Sequence, residues 1–180
     1  SARGIGQHMG ADLRVLDPCA WVVWQPVADY ANMAPGGESA NGMNWGEIQI
    51  PFDCTAEDTL ETCPIYTNTK YWATQNFTHY IEPGDSLIRS DDASSTAAVS
   101  ADGTSATVVH VIATKGERAV TLDLSKFGAV GSDATVTPVV TSTAGYLVEG
   151  EPVAVTTGAD GPRATRGVPA GSVAPCVVAG

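Results

Sequence analysis

The clearest hydrophobic pattern in the chain is the run Ala20 to Trp24, which is followed by Gln25 and Pro26. A short run of apolar, β-branched and aromatic residues is typical of a strand that is buried on both faces. Pro26 has no N–H to donate to a ladder, so the predicted strand covers residues 20–25. Trp24 and Gln25 then lie at its carboxyl end, where α/β barrels and open α/β sheets bind their ligands.

Helical periodicity flanks this strand on both sides. Upstream, Ile5, Met9, Leu13 and Leu16 share one helical face, and Asp17-Pro18 ends that helix. Downstream, a last helix is predicted over residues 69–81, with Asn68 as its N-cap and Pro83-Gly84 at its exit. Its apolar face consists of Ala73, Phe77, Tyr80 and Ile81. The glycosylation motif Asn76-Phe77-Thr78 lies within this helix, and we interpret it as incidental.

Residues 26–67 have no regular periodicity and are predicted to form one long loop. Loops of this length are usually functional or disordered. The stretch carries too much apolar surface for a free linker, in Tyr30, Met33, Met43, Trp45, Ile48, Ile50 and Phe52. We therefore expect an ordered loop that lies over the end of the buried strand.

After Asp85 the pattern changes to short β-prone runs that are separated by turn signals. This spacing predicts an antiparallel β-sandwich over residues 83–180. The predicted strands are Ser86 to Ile88, Ala97 to Ser100, Thr107 to Ala113, Ala119 to Leu124, Thr135 to Thr141, Tyr146 to Glu149, Val153 to Thr156 and Ser172 to Val178.

The predicted fold class is thus mainly β, a sandwich preceded by a helix–strand–helix portion. A strand that is covered on both faces needs neighbours, yet no further αβ unit occurs in the 180 residues. We expect its partners outside the chain. The opening Ser1, with neither an initiator Met nor a signal peptide, adds the expectation that an N-terminal part is missing.

Charge restricts the classes of partner. The net charge is −11 and only 9 residues are Lys or Arg, which argues against nucleic acid as a partner. No apolar segment reaches the 18 or so residues of a membrane span, so no membrane partner is expected.

Four cysteines allow three pairings if all of them are oxidised. Cys54 and Cys63 are close together in a polar loop, which favours a disulfide between them. Cys19 and Cys176 then either pair over a long distance or remain buried thiols. No C-x-x-C spacing indicates zinc or redox chemistry.

The polar residues assign no catalytic, metal or cofactor site. Seven acids lie in or beside the long loop: Asp29, Glu38, Glu47, Asp53, Glu57, Asp58 and Glu61. A pair of them would suit a retaining glycosidase, but acids in loops are far more often solvated charges. The three histidines are too dispersed for a metal site, and Asp91-Asp92 is better explained as a turn than as a calcium site.

The aromatic residues are more informative. Trp24 and Trp45 are candidates for a stacking surface, since sugar rings present C–H faces that pack on indoles. Gln25, Asp29 and Asn44 are candidates for hydrogen bonds to sugar hydroxyls. The alternative is that Trp21 and Trp24 point to opposite faces as core residues. We favour a core role for Trp21 and leave both roles open for Trp24.

These segments together resemble the end of a glycoside hydrolase family 30 catalytic barrel and its attached β-sandwich. The motifs that carry the resemblance are Ala20-Trp21-Val22-Val23-Trp24-Gln25, Asn44-Trp45-Gly46-Glu47-Ile48, Asn68-Thr69-Lys70-Tyr71, Asn76 to Asp85 and Val168 to Val173. The last of these resembles the final strand of the sandwich. The segments Pro51 to Cys54 and Cys63 to Ile65 look most like the bacterial β-1,6-galactanase branch.

The resemblance implies a (β/α)₈ barrel with a side β-sandwich, and retaining hydrolysis by two glutamates that lie upstream of this chain. Residues 1–82 are then the C-terminal part of the barrel and residues 83–180 the sandwich. Trp24, with Gln25 and Trp45, becomes a wall of the subsite that holds the sugar. The implied partners are a poly- or oligosaccharide substrate and the N-terminal barrel portion of the same protein, with no cofactor, in a secreted enzyme.

Two other functions remain open, a non-catalytic carbohydrate-binding module and a structural sandwich that braces a neighbour. A binding module exposes aromatic residues on its own sheet. Trp is absent after Trp72, and only Phe127 and Tyr146 remain in the predicted sandwich. This favours a bracing role for the sandwich.

Overall fold

A computed structural model describes residues 2–30, 45–128 and 130–179. In these residues, one helix precedes three short strands, a second helix follows them, and ten further strands come after it. Helix α1 is Ala2–Val15 and helix α2 is Thr69–Thr78. The early strands are β1 Val27–Asp29, β2 Ile48–Ile50 and β3 Tyr66–Thr67. The later strands are β4 Ser86–Ile88, β5 Ser95–Val99, β6 Ser105–Val111, β7 Arg118–Asp123, β8 Thr135–Ser142, β9 Gly145–Glu149, β10 Val153–Ala154, β11 Thr156–Gly158, β12 Gly161–Val168 and β13 Val173–Ala179.

The later strands form two antiparallel sheets. The larger has the order β10-β8-β13-β6-β5-β4, with β9 paired to β8, and the smaller has the order β11-β12-β7. Their facing sides share one core, to which Ala106, Leu122, Val136 and Cys176 contribute. The predicted mainly β fold with an antiparallel sandwich is confirmed.

The two helices pack on the opposite face of the larger sheet. Met9 of α1 and Phe77 of α2 meet Val109 and Val111 of β6 and Val173 of β13 in a second core. Strands β6 and β13 are therefore covered on both faces, which explains the nearly continuous burial along them.

Both helices begin and end close to their predicted limits. The Asn68 side chain accepts a hydrogen bond from the Lys70 N–H and caps α2. Helix α2 ends at Thr78, and the chain then leaves through Pro83 and Gly84, whose φ of 103° is favourable for glycine alone. None of the helices in the described part of the chain has the length and apolar character that crossing a membrane requires.

The glycosylation motif on α2 is closed to modification in the folded chain. Asn76 is fully buried, and its Nδ2 donates to the Trp72 carbonyl and to Thr141 Oγ1. The interpretation of this motif as incidental therefore agrees with the structure.

Three predictions about local structure are wrong. Residues 20–25 form no strand, and β1 begins only at Val27. Within residues 26–67, the described part contains three short strands rather than a loop without regular structure. Strand β12 lies where no strand was predicted, and Val168 to Val173 spans the turn between β12 and β13. The division at residue 83 stays a prediction.

Candidate functional site

Trp24 is exposed in the 180-residue chain and lies outside its strands. It is 80% exposed, and Val22 is 87% exposed. Burial on both faces requires strands on either side, and in the described residues no strand pairs with 20–25. Gln25 is half-buried and follows Trp24 through a cis peptide bond. The two roles of Trp24, subsite wall or core residue, both stay predictions, because the strands expected to cover residues 20–25 lie outside this chain.

Trp21 is different, as its predicted core role requires. Its side chain is half-buried and packs against the second core, which contains Met9 and Phe77. Its indole Nε1 donates to Asp12 Oδ2 of α1 at 3.0 Å. Trp21 thus binds the segment of residues 20–25 to α1. Trp24, three residues later, is exposed in this chain.

A parallel strand pair joins the two segments that follow Trp24 and Trp45. Strand β1 pairs with β2 in the register Val27 to Ile48, and the N–H groups of Glu47 and Ile48 both donate to the Pro26 carbonyl. Trp24 lies two residues before Pro26, and Trp45 lies two residues before Glu47. Trp45 is 48% exposed. The two indoles that the sequence singled out therefore belong to neighbouring segments, and both are accessible.

Asp29 has a structural bond that its predicted role did not include. It is half-buried at the end of β1, and its Oδ1 accepts the Phe52 N–H at 3.2 Å. The carboxylate thus ties the segment after β2 to β1. Asn44 and Glu38, two further candidates, lie outside the described residues.

Two tyrosines beside Asp29 form an aromatic pair that the sequence did not assign to the site. The rings of Tyr30 and Tyr66 stack with centroids 4.7 Å apart, and both residues are partly exposed. Tyr66 lies in β3, which pairs with β2. The available signal was the β-prone dipeptide Tyr66-Thr67 directly before the N-cap Asn68.

The predicted disulfide between Cys54 and Cys63 is present and closes a loop of sequence separation 9. Within it, Asp58 accepts from the N–H and hydroxyl of Thr55, and these hydrogen bonds hold its pKa below the usual value. The loop presents Leu60 to solvent, and Phe52 and Ile65 are exposed beside it. The loop from Cys54 to Cys63 is thus closed by the disulfide and stabilised by internal hydrogen bonds.

The second predicted pairing, Cys19 with Cys176, is wrong. Cys19 is free and exposed, whereas Cys176 is free and fully buried in the sandwich core. Cys176 lies in β13, where it occupies the position of a small apolar residue between the two sheets. Its burial raises the pKa of its thiol.

Glu47 is buried, contrary to the expectation that the loop acids are solvated. It is 6% exposed, and its Oε1 accepts the Thr74 hydroxyl of α2 at 2.6 Å. Burial lowers the pKa of the neighbouring Lys70, and the negative charge of Glu47 acts in the opposite direction. No local pattern marks Glu47, because its hydrogen-bond partner Thr74 lies 27 residues away in the sequence.

Gly46 is required by the close approach of β1 to the Trp45 segment. A Cβ at this position would lie 2.7 Å from the Ala28 backbone nitrogen and 2.8 Å from the Ile48 carbonyl oxygen. Backbone atoms cannot yield as a flexible side chain can.

We therefore expect Gly46→Ala to destabilise the chain by about 2 kcal/mol through overpacking. The measurement is urea unfolding. Gly116→Ala serves as the control, because a Cβ at Gly116 meets nothing within 4 Å. Equal stability of the two variants would contradict this account of Gly46.

The sugar-binding roles of Trp24, Gln25, Asp29 and Trp45 stay predictions. Three of these residues are the exposed indoles of Trp24 and Trp45 and the half-buried amide of Gln25. Flat aromatic faces with adjacent hydrogen-bonding groups match the alternating C–H and O–H surface of a sugar ring. Among the described residues, no group of three or more His, Cys, Asp or Glu side chains is arranged to hold a metal ion.

Comparison with known proteins gives one curated relative and several solved structures. The exo-β-1,6-galactobiohydrolase of Bifidobacterium longum subsp. longum is 29% identical over 157 residues, which cover 74% of this chain and 10% of that protein. No family model matches the sequence.

Two solved structures match over nearly the whole chain. The catalytic domain of GH30 xylanase C from Talaromyces cellulolyticus matches with a TM-score of 0.67 and 14% identity, covering 100% of this chain and 35% of that one. The family 30 subfamily 8 xylanase Xyn30A from Clostridium acetobutylicum matches with a TM-score of 0.67 and 14% identity, covering 99% and 38%. The chain thus spans little more than a third of these structures and a tenth of the curated relative. It has the fold of the C-terminal portion of a family 30 glycoside hydrolase catalytic domain, and the family resemblance of its motifs is confirmed.

Proposed function

We propose that this chain is the C-terminal portion of a secreted retaining glycoside hydrolase that acts on β-1,6-linked galactan. In this proposal, the catalytic glutamates lie upstream, and the chain supplies one wall of the sugar subsite. The exposed pair Trp24 and Trp45 is the observation that carries the proposal. The choice of galactan rests on the similarity to an exo-β-1,6-galactobiohydrolase.

The proposed role of the sandwich is to brace the last helix of the barrel. Asn76 of α2 donates to Thr141 of β8, and Trp72 of α2 stacks on Tyr146 of β9 with centroids 5.3 Å apart. A buried amide bond and a parallel aromatic stack favour one orientation of α2 over others. The disulfide between Cys54 and Cys63 supports secretion, since such bonds persist in oxidising compartments.

A non-catalytic sugar-binding module is the alternative function. It needs free aromatic faces on the sandwich itself. Of its two candidates, Phe127 packs against the inter-sheet core and Tyr146 has one face against Trp72. The described residues of the sandwich therefore favour bracing over independent binding.

The test compares the 180-residue chain with the full-length protein on β-1,6-galacto-oligosaccharides and on xylan. We expect no turnover by the chain alone, because a retaining enzyme needs an acid and a nucleophile about 5 Å apart and neither is assigned here. We expect the full-length protein to cleave the galacto-oligosaccharides with retention of anomeric configuration.

The alternatives give different results. Turnover by the purified chain, above that of a mock purification, would contradict the placement of the catalytic groups upstream. Binding of galactan by the chain alone, with no hydrolysis by the full-length protein, would indicate the binding module. Cleavage of xylan in preference to the galacto-oligosaccharides would contradict the proposed substrate.

A further inference from the structure

Glu47 is the one loop acid in the described residues that is buried, and its carboxylate faces helix α2. Carboxylates are almost never buried without partners. Here Thr74 Oγ1 donates to Oε1 at 2.6 Å, and Lys70, one turn earlier on α2, interacts electrostatically with the same carboxylate. The side chain of Glu47 thus binds the start of β2 to the first two turns of α2.

The backbone of Glu47 makes two further connections. Its N–H donates to the Pro26 carbonyl at 3.1 Å, and its carbonyl accepts the N–H of the N-cap Asn68 at 3.1 Å. The Asn68 amide also donates to the Gly46 carbonyl. One residue is therefore bonded to the segment that ends in Pro26 and to the beginning of α2.

These bonds converge next to both exposed indoles. Trp45 lies two residues before Glu47, and Trp24 lies two residues before Pro26. The helix to which Glu47 is bonded is itself fixed to the sandwich through Asn76 and Thr141. A continuous set of hydrogen bonds thus links the β-sandwich to the backbone on which Trp24 and Trp45 are carried.

We infer that Glu47, held by Thr74, is a positioning residue for Trp24 and Trp45, the two tryptophans of the proposed subsite wall. This inference rests on the proposed function, because it assigns Glu47 a part in sugar binding. Glu47 sets the backbone spacing of the two indole-bearing segments, and productive binding sites need their groups held to within about 0.5 Å. The buried position of the Glu47 carboxylate on α2 separates this role from direct contact with the sugar.

The test uses matched substitutions in the full-length protein. Thr74→Val removes the hydroxyl donor and keeps the shape, whereas Thr78→Val makes the same change one turn later on the exposed surface of α2. Glu47→Gln removes the charge beside Lys70, and Glu61→Gln makes the same change at an exposed position of the disulfide loop. Thr74→Ser restores the hydroxyl and serves as the rescue.

For Thr74→Val and Glu47→Gln we expect KM to rise about tenfold while kcat changes less than about twofold. Thr74→Ser and both control variants keep the wild-type KM. Hydrogen exchange of the Glu47, Ile48 and Asn68 amides is expected to accelerate about tenfold in the same two variants. These amides report on local opening of the hydrogen bonds that connect Pro26, Glu47 and Asn68.

The outcomes separate this inference from the proposed function. A full-length protein without glycosidase activity would contradict the proposed function. Hydrogen exchange then still tests whether the Glu47 side chain stabilises the hydrogen bonds that connect Pro26, Glu47 and Asn68. Glu47→Gln and Thr74→Val with KM and exchange equal to those of their controls would overturn the inference. The inference also fails if both variants melt at a lower temperature and keep wild-type KM, since the role of Glu47 is then structural alone.

Discussion

Trp24→Ala is expected to lower kcat/KM of the full-length protein by up to about 100-fold and to leave the free energy of unfolding of the 180-residue chain within about 0.5 kcal/mol of the wild-type value. In the 180-residue chain the indole is 80% exposed, so its removal there deletes almost no core contact. Its loss removes a face on which a sugar ring stacks in the proposed subsite. Steady-state kinetics on a β-1,6-galacto-oligosaccharide and urea unfolding measure the two effects.

Trp21→Ala is the matched control, since it removes the same side chain three residues earlier. Trp21 packs against the second core and donates to Asp12 Oδ2. Its truncation is expected to cost about 3 kcal/mol of stability and to leave kcat/KM per folded molecule nearly unchanged. If Trp24→Ala instead keeps wild-type kinetics and loses stability, the assignment of Trp24 to the sugar subsite is wrong.

The two helices and most strands of the sandwich were predictable because local pattern and tertiary burial agree there. In α2, the cap Asn68 and the buried residues Ala73 and Phe77 all indicate the same helix. In β8, alternating burial follows the period of two that the sequence shows.

Strand β12 was not predicted because its sequence lacks an apolar pattern, and its conformation depends on pairing with β11 and β7. Its sequence Gly161 to Val168 contains Pro162, Arg163 and Arg166, and only Ala164 and Val168 are buried. It is nevertheless paired on both sides, with β11 and with β7. Arg163 bonds Asp123 across the β12–β7 pair, which accommodates a cation on the outer face of the smaller sheet.

For residues 20–25, the sequence indicated candidate site residues but not the conformation of the segment. An apolar run such as 20–25 indicates burial, yet burial depends on neighbouring strands, and the described residues contain none that pair with it. The role of Glu47 was beyond sequence reasoning for a similar reason. Its partner Thr74 is 27 residues away, and nothing local distinguishes Glu47 from the solvated acids of the same loop.

His110 also acquires its character from distant contacts. It is 1% exposed, on the face of β6 that looks toward the smaller sheet. Ser95 Oγ lies 2.6 Å from His110 Nδ1 and 2.7 Å from Asp92 Oδ2. A carboxylate only accepts, so the single hydroxyl proton of Ser95 goes to Asp92, and His110 Nδ1–H donates to Ser95. Nε2 is then an unprotonated acceptor, buried without a hydrogen-bond partner.

This environment makes the neutral form of His110 the native one. Burial lowers its pKa from 6.5 to about 4; the negative charge of Asp92 opposes the change, and Arg166 and Arg118 add to it. Because the folded pKa lies below the unfolded value, the unfolded chain binds the proton more tightly. The stability that neutral His110 contributes is therefore complete above about pH 6.5 and is lost as the pH falls toward about 4.

We expect the free energy of unfolding to fall by about 3 kcal/mol across this range, as a shift of this size implies. Urea unfolding of the chain at several pH values between 7 and 4 measures the slope. His110→Gln removes the titrating group and is expected to flatten the slope, whatever its effect on absolute stability. His79→Gln replaces an exposed histidine and is expected to keep it. A wild-type slope in His110→Gln would show that acid destabilisation arises elsewhere and that His110 is not buried in its neutral form.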